Sequence, residues 1–260
     1  MPEPIALITG ASSGIGAELT RVFARNGHRL VLAARRTDRL DALADDLVRS
    51  GAPRPLVVTA DLSQADAGDR VAAVLDAEGL EPQFVVNNAG FGLAGAAASL
   101  PRARQLEMID LNVRTLTDLS LRFADALERR RGGLLNVASV AGFLPGPNHT
   151  VYYATKAYVV SFTEALHEEW RLRNIRVTAL CPGPVPTEFQ AVAGTGQGVV
   201  QTPMATHADR VAAEGYRGLM AGQRLVVPGF LNKLLVYGIG LVPHALLLPQ
   251  VAKRHRAEPR

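Results

Sequence analysis

Short apolar runs alternate with longer amphipathic stretches along this chain. The runs are rich in Val, Leu and Ile and lack strict alternation, which is typical of strands covered on both faces in a parallel sheet. Seven strands are predicted, at residues 5–9, 30–34, 56–60, 84–87, 134–138, 175–180 and 225–227. Between them lie helical patterns, for example Leu40, Leu43 and Leu47. The alternation predicts a doubly wound α/β fold, in which ligands bind at the carboxyl ends of the strands.

A glycine-rich turn, TGASSGIG, follows the first predicted strand at residues 9–16. Gly10, Gly14 and Gly16 permit a tight turn and let the backbone approach a diphosphate at the N-terminus of the next helix. The turn lies between a strand and an amphipathic helix, which is the context that a dinucleotide site requires. We therefore expect a single-domain, Rossmann-type sheet of about seven parallel strands flanked by helices.

The end of the second predicted strand indicates which dinucleotide binds. Dinucleotide folds place the group that contacts the adenosine ribose about 20 residues past the glycines. An acidic residue there would accept hydrogen bonds from NAD and repel a 2′-phosphate. Here Ala34 is followed by Arg35 and Arg36, and the first carboxylate is Asp38. Guanidinium groups suit a 2′-phosphate, so NADP(H) is predicted; the alternative is two solvated arginines before a helix.

Composition and charge narrow the classes of partner. A length of 260 residues suits one large domain with a sizeable core. The net charge is +4, but residues 253–260 hold four basic residues and one glutamate, so most of the excess lies in the tail. No nucleic-acid partner is predicted, because that would need a basic face on the fold itself. Scattered histidines predict no metal site, and the single cysteine, Cys181, favours a cytoplasmic location.

The stretch VYYATK, residues 151–156, places two tyrosines before a lysine. Residues three and four apart share a helix face, so Lys156 could approach either Tyr152 or Tyr153. A tyrosine beside a lysine is a candidate acid–base group. Spacing alone leaves the choice between the two tyrosines open.

At this point the sequence resembles the short-chain dehydrogenase/reductase family, over essentially the whole chain. The matching motifs are T-G-x-x-x-G-x-G at residues 9–16, N-N-A-G at 87–90, an asparagine at Asn112, a serine at Ser139, Y-x-x-x-K at Tyr152 and Lys156, and P-G-x-x-x-T at Pro182, Gly183 and Thr187. The resemblance implies that Tyr152 is catalytic and that Tyr153 occupies a variable position, with a packing role as its expected one.

The resemblance also implies roles for the other catalytic residues. Hydride transfer to a carbonyl leaves an oxyanion, which needs a proton and hydrogen-bond donors. Tyr152 would supply the proton, and Ser139 would hold the substrate oxygen. A nearby Lys156 ammonium would lower the pKa of Tyr152 and would also bind the nicotinamide ribose. Asn112 would help to bind a water that links the lysine to solvent.

The cofactor site that the resemblance implies is formed by the glycine turn and the ends of the following strands. Its predicted residues are Gly10, Ser12, Ser13, Gly14, Ile15, Gly16, Arg35, Arg36, Asp61, Leu62, Asn88, Ala89, Gly90, Tyr152, Lys156, Pro182, Val185 and Thr187. Asp61 could equally be a turn or cap residue.

These residues predict an NADP(H)-dependent oxidoreductase that interconverts an alcohol and a carbonyl on an apolar small molecule. Two alternatives stay open: an epimerase or dehydratase on the same fold, and a dinucleotide-binding sensor without turnover. The loop at residues 188–207 is glycine-rich and is predicted to be a mobile lid over the substrate. Phe91, Phe143, Leu144 and Phe189 are candidates for an apolar pocket or, equally, for the core. His149 is expected in a surface loop, with contact to the substrate as the alternative.

The chain divides into a dinucleotide-binding catalytic domain at residues 1–230 and an apolar extension with a basic tail at 231–260. Residues 234–252 lack Asp, Glu, Lys and Arg, but Pro243 and Pro249 interrupt them, so a transmembrane helix is rejected. Three roles remain: a subunit interface, a wall over the substrate site, or a peripheral membrane anchor. The resemblance implies a homodimer or homotetramer, and weak membrane-surface contact is the alternative.

Overall fold

The sheet of this protein is a single layer of seven parallel strands. The computed structural model describes residues 2–194, 202–240 and 242–256, without the side chains of His244, Arg254 and Arg256. The strand order is β3-β2-β1-β4-β5-β6-β7. The strands are β1 Glu3–Thr9, β2 Leu30–Ala34, β3 Leu56–Thr59, β4 Leu80–Asn87, β5 Gly133–Val137, β6 Arg176–Leu180 and β7 Leu225–Val226. The predicted Rossmann-type fold is confirmed.

Helices cover both faces of this sheet. They are α1 Gly14–Arg25, α2 Thr37–Arg49, α3 Ala67–Ala77, α4 Arg102–Ile109, α5 Leu116–Arg122, α6 Ala124–Arg129, α7 Thr150–Arg171, α8 Phe189–Ala193, α9 Ala208–Met220, α10 Phe230–Ile239 and α11 His244–Arg256. A π-helical turn, Asp110–Thr115, joins α4 to α5, and a 3₁₀ turn, Val140–Phe143, precedes α7.

Successive residues of β1 belong to two separate apolar clusters. Ala6 and Ile8 pack in the cluster that holds α1, α2 and α9, while Ile5 and Leu7 pack in the cluster that holds α3, α6 and α7. Side chains alternate between the faces of a strand. Because both faces are buried, the strand reads as a continuous apolar run, which is the pattern that predicted it.

Two strands begin earlier than the apolar pattern predicts. β1 and β4 pair from Glu3 with Leu80, and the register shifts between Ile5 and Ala6. Pro82 lies inside this early segment, whereas the pairing of β4 with β5 starts only at Phe84. The proline therefore stands where β4 has a partner on one side, which is the position that a strand tolerates for a residue without an N–H.

The C-terminal segment forms two helices on the surface of the domain. α10 buries Asn232 and Val236 but exposes Phe230, Leu234 and Tyr237. Among the described residues, no helix combines the length and apolar character that a bilayer crossing requires. The predicted lid at 188–207 contains α8 at its start, and residues 195–201 of that prediction lie outside the described part of the chain.

Candidate active site

A cavity of about 450 Å³ runs along the carboxyl ends of the strands. This volume lies within the range of sites that hold small molecules. Of the predicted cofactor residues, every one except Gly16 lines the cavity, as do Ser139, Tyr152 and Lys156. Gly16 and Asn112 lie behind the wall, where they support it. The sequence motifs therefore converge on one site.

The glycine turn is packed too closely for side chains. Gly10 has φ +64°, and a Cβ on it would lie 2.8 Å from the Ala89 Cα atom. A Cβ on Gly16 would lie 2.3 Å from the Gly10 carbonyl oxygen. These contacts bring β1, α1 and the loop after β4 together, and they leave the backbone as the surface of the cavity at the start of α1.

Side-chain hydrogen bonds tie this turn to the loop after β4. The Thr9 hydroxyl accepts from the backbone N–H groups of Asn88 and Ala89 at 3.0 and 3.1 Å. The Asn88 side-chain amide donates to the carbonyl oxygens of Thr9 and Gly10 at 3.0 and 3.1 Å. Asn88 therefore holds the turn in place as well as lining the cavity.

An arginine cluster lies where the second strand ends. The Arg36 guanidinium donates to the hydroxyls of Ser12 and Ser13, with the Ser13 bond at 2.8 Å. It also bonds the Glu188 carboxylate at 2.8 Å, and Arg39 bonds the other oxygen of that carboxylate. Hydrogen bonds from Arg39 and Arg36 lower the pKa of Glu188 to about 2. Glu188 directly follows Thr187, and no motif pointed to it as part of the site.

Arg35 and Asp61 line the cavity, but their contacts do not assign either of them to cofactor binding alone. Arg35 lines the cavity, but its side chain is 60 % exposed and its nearest carboxylate is Glu107, at 3.9 Å. Asp61 accepts hydrogen bonds from the backbone and hydroxyl of Ser63 and from the side chain of Gln64. Asp61 is thus a turn residue as well as a cavity residue.

Tyr152 and Ser139 line the same cavity. Ser139 follows β5, and its hydroxyl, which donates to the Pro182 carbonyl oxygen at 3.4 Å, is near enough to the Tyr152 phenol to lower the pKa of that phenol. The same hydroxyl accepts the N–H of Ala141 at 3.1 Å, which fixes its position at the start of the 3₁₀ turn. A carbonyl oxygen beside this pair would meet two hydroxyl donors, which is the arrangement that stabilises a developing oxyanion.

Lys156 does not lower the pKa of Tyr152, and that expectation is wrong. The Lys156 ammonium donates to the Val137 carbonyl oxygen at 2.7 Å and lies 5.9 Å from the centre of the Tyr152 ring. Burial raises the pKa of Tyr152, and the neighbouring Ser139 hydroxyl offsets only part of that rise. Burial also lowers the pKa of Lys156 to about 8. Desolvation thus favours the neutral form of both groups.

Asn112 lies in the π-helical turn and is buried. Its amide oxygen accepts the N–H of Phe91 at 3.1 Å, and its amide nitrogen donates to the Phe91 carbonyl at 2.9 Å and to Thr155 at 3.1 Å. A π-turn shifts the helix register by one residue, which is common at functional sites. The side chain thereby ties the 88–91 loop to α7; its water-binding role stays a prediction.

The structure separates the four residues that the sequence left between pocket and core. Phe189 packs on Tyr152 with ring centres 5.4 Å apart, and Phe91 also lines the cavity. Phe143 and Leu144 do not line it; Phe143 packs instead against an apolar cluster beneath α7. His149 is 8 % exposed and lines the cavity, so the structure contradicts its expected exposure in a surface loop and agrees with the alternative, a place beside the substrate site. Tyr153 also lines the cavity, beyond the packing role expected of it.

The residue that sequence reasoning missed entirely is His255. It belongs to α11, yet it lines the same cavity as Tyr152. No motif contains it, and its neighbour Tyr153 lies 102 residues earlier in the chain. Only the folding of α11 onto the loop before α7 brings the two together.

Comparison with known proteins identifies the family. The family model for short chain dehydrogenases matches residues 4–198. This chain belongs to the short-chain dehydrogenase/reductase family. It is 37% identical over 239 residues to an uncharacterized oxidoreductase of Myxococcus xanthus, covering 88% of this chain and 92% of that protein.

Solved structures show the same fold. A short-chain dehydrogenase from Sphingobium yanoikuyae in complex with NADPH is 31% identical, with a TM-score of 0.81 over 94% of this chain and 95% of that one. A 3-ketoacyl-(acyl-carrier-protein) reductase from Brucella melitensis complexed with NADH is 28% identical, with a TM-score of 0.76 over 87% and 96%. This short-chain dehydrogenase is therefore an oxidoreductase with a nicotinamide dinucleotide cofactor. The family match ends before α9, so α10 and α11 lie beyond it.

Proposed function

We propose that this protein is an NADPH-dependent carbonyl reductase in which Tyr152 donates the proton. The observation that carries the proposal is that Ser139, Tyr152 and Lys156 line one cavity, with the pKa of the Tyr152 phenol raised by burial. A phenol that stays protonated near neutral pH is an acid and not a base. Reduction of a carbonyl is the direction that needs such an acid.

Each residue of the site has its own role in the proposed reaction. Bound NADPH would supply the hydride to the carbonyl carbon. Ser139 and Tyr152 hold the carbonyl oxygen, and the Tyr152 proton passes to it as the alcohol forms. Lys156 would hold the cofactor ribose, and Asn112 positions the 88–91 loop through its bonds to Phe91. Residues 88–90, 182 and 185, together with Thr187, line the cavity and would hold the dinucleotide.

The preference for NADPH rests on the arginine cluster. Arg36 is the guanidinium that the turn serines orient into the cavity. A 2′-phosphate there would gain charge-assisted hydrogen bonds from it. The Sphingobium structure supports this choice and the Brucella structure shows the other cofactor, so the local residues must decide it.

The test combines turnover with direct binding. Oxidation of NADPH and of NADH is followed across a panel of aldehydes and ketones, and both dissociation constants are measured by titration. We expect turnover with NADPH and the alcohol as product. Binding of either dinucleotide without turnover of any carbonyl would instead favour a sensor. A product at the oxidation level of its substrate, with no net NADPH consumption, would favour an epimerase or dehydratase.

We further propose that residues 1–230 form the dinucleotide-binding domain that carries Ser139, Tyr152 and Lys156, and that the exposed face of α10 mediates homo-oligomer formation. Phe230, Leu234 and Tyr237 are exposed on this helix at 79, 63 and 68 %. Exchanging all three for serine should reduce the particle mass in light scattering to that of one chain. An unchanged mass would rule out this face as the interface.

A further inference from the structure

Three aromatic side chains border the cavity next to Tyr152, and we call them the distal cluster: His149, Tyr153 and His255. The His149 and His255 rings are 4.6 Å apart, the Tyr153 and His255 rings 5.6 Å apart, and the Tyr152 and Tyr153 rings 6.1 Å apart. All four residues line the same cavity. The cluster therefore lies within reach of a substrate whose carbonyl meets Tyr152.

The distal cluster is held in place from several directions. The His255 Nδ1 atom lies 2.7 Å from the Pro147 carbonyl oxygen, and its Nε2 atom lies 3.3 Å from the Tyr153 hydroxyl. A Cβ on Gly146 would lie 2.3 Å from the Tyr153 ring, so the loop before α7 fits around that ring. His149 is buried against both partners.

These contacts determine which hydrogen bonds the cluster can form. A carbonyl oxygen only accepts, so the hydrogen on His255 belongs to Nδ1, and in the neutral ring Nε2 is an acceptor. The phenol of Tyr153 carries one proton and acceptor lone pairs. The Tyr153 hydroxyl therefore donates to Nε2, and its phenolic oxygen is the atom that would accept a hydrogen bond from a ligand hydroxyl.

Charge distinguishes this end of the cavity from the other. Among the described residues that line the cavity, the fixed charges are on Arg35, Arg36, Asp61, Lys156 and Glu188. None of them belongs to the distal cluster. Burial and the neighbouring His255 lower the pKa of His149 to about 4, so His149 is neutral near pH 7. An uncharged polar group therefore suits the distal cluster better than a carboxylate does.

We propose that the distal cluster is a substrate subsite that binds a hydroxyl group remote from the reacting carbonyl of an otherwise apolar ketone. The proposal rests on the proposed reductase function and extends it. It also assigns α11 a role, because this helix brings His255 to the subsite. Of the three roles predicted for the C-terminal segment, α11 thus serves the wall of the substrate site.

The experiment uses matched cyclic ketones with and without a hydroxyl on the ring farthest from the carbonyl, and a third compound with a carboxylate there. The measured quantity is the ratio of kcat/KM for the hydroxylated ketone to that for its parent. We expect His255→Ala and Tyr153→Phe each to lower this ratio roughly three- to tenfold, the range for one neutral hydrogen bond. The double variant should lower it less than the product of the two single effects, because the residues form one pair.

Tyr158→Phe is the matched control, since Tyr158 is an exposed tyrosine of the same helix that bonds Thr117. A ratio that stays the same in both cluster variants would overturn the subsite while leaving the reductase function intact, as would preference for the carboxylate compound. If no ketone is turned over, the reductase function fails on its own. Calorimetry of the same ketones with the wild-type protein and His255→Ala then decides the subsite: equal affinities overturn it, and a weaker hydroxylated ligand supports it.

Discussion

The glycine-turn end of the cavity and its distal end are held by different kinds of contact. At the glycine turn, the backbones of β1, α1 and the β4 loop touch, and residues close to the first strand supply most of the surface. At the distal end, side chains from α7 and α11 meet over a long separation in sequence. The first end leaves little room for change in the residues that bind the dinucleotide. The side chains at the distal end can be exchanged one at a time, so we assign substrate selectivity to that end.

The largest expected effect is a fall in kcat when Tyr152, which lies between the two ends of the cavity, is exchanged. Tyr152→Phe removes the acid but retains the ring that packs on Phe189. We expect kcat to fall by ~10³, within the range that general acid catalysis supplies. The NADPH dissociation constant, measured by titration, should change little. Retention of kcat in the folded variant would show that another group donates the proton.

The next effect tests the rigidity of the glycine turn. Gly16→Ala places a Cβ against the Gly10 carbonyl, so we expect a loss of about 3 kcal/mol in the free energy of unfolding and weaker NADPH binding. Gly238→Ala, in α10, is the control, because a Cβ there has no neighbour within 4 Å. That exchange should stabilise the protein by about 0.5–1 kcal/mol. Urea unfolding measures the free energy of unfolding of both variants. Equal changes in the two variants would contradict the tight packing of the glycine turn.

The buried side chain of Lys156 makes the stability of the protein depend on pH. Its pKa is about 8 in the fold against 10.5 for the ordinary side chain. Below pH 8 the folded state carries the full desolvation penalty; between pH 8 and 10.5 the unfolded chain holds a proton that the folded chain has released. The contribution of this group to stability therefore rises with pH in that window, by up to about 3 kcal/mol at 1.36 kcal/mol per pKa unit.

The measurement is urea unfolding of the wild type and of Lys156→Met at several pH values from 7 to 10.5. The stability of the variant relative to the wild type should be highest below pH 8 and should decline toward pH 10.5. Lys233→Met, on the exposed face of α10, serves as the control. A difference that does not vary with pH would mean that burial does not lower this pKa.

The smallest expected effect concerns cofactor choice. Arg36→Ala should reduce the preference for NADPH over NADH by about 10- to 100-fold, the equivalent of roughly 1.5–3 kcal/mol for a hydrogen bond to a charged group. Glu188→Gln should tighten NADPH binding more than NADH binding, because the carboxylate and a 2′-phosphate would share Arg36. Arg49→Ala, on the same helix as Arg39 but outside the cavity, is the control. The dissociation constants of NADPH and NADH, measured by titration, test these changes. Equal affinities of the wild type for both cofactors would refute the preference for NADPH.

The sequence predicted the sheet and the dinucleotide end because both depend on local patterns. Buried parallel strands produce apolar runs, and close backbone approach requires glycine at Gly10 and Gly16. The start of β4 at Leu80 was missed, since Pro82 argues against a strand unless the absence of a second partner there is known.

The distal end could not be predicted for a physical reason. His149 and His255 have no shared motif, and their burial results from how α11 packs against the loop before α7. The pKa of Tyr152 was predicted in the wrong direction because spacing shows that Lys156 is near but not that its ammonium bonds the Val137 carbonyl. Desolvation is a property of the packed cavity and has no signature in residue spacing.

The lone thiol of this chain provides a built-in reporter of its opening motions. Cys181 is completely buried at the end of β6, its N–H bonds the Val226 carbonyl at 2.8 Å, and burial raises the pKa of its thiol. A thiol reagent can thus modify the protein only during an excursion that separates this edge of the sheet. A dinucleotide that binds the closed form suppresses the excursion in proportion to its saturation. The rate of modification, followed with one reagent and no substrate, would rank cofactors by affinity without any knowledge of the reaction.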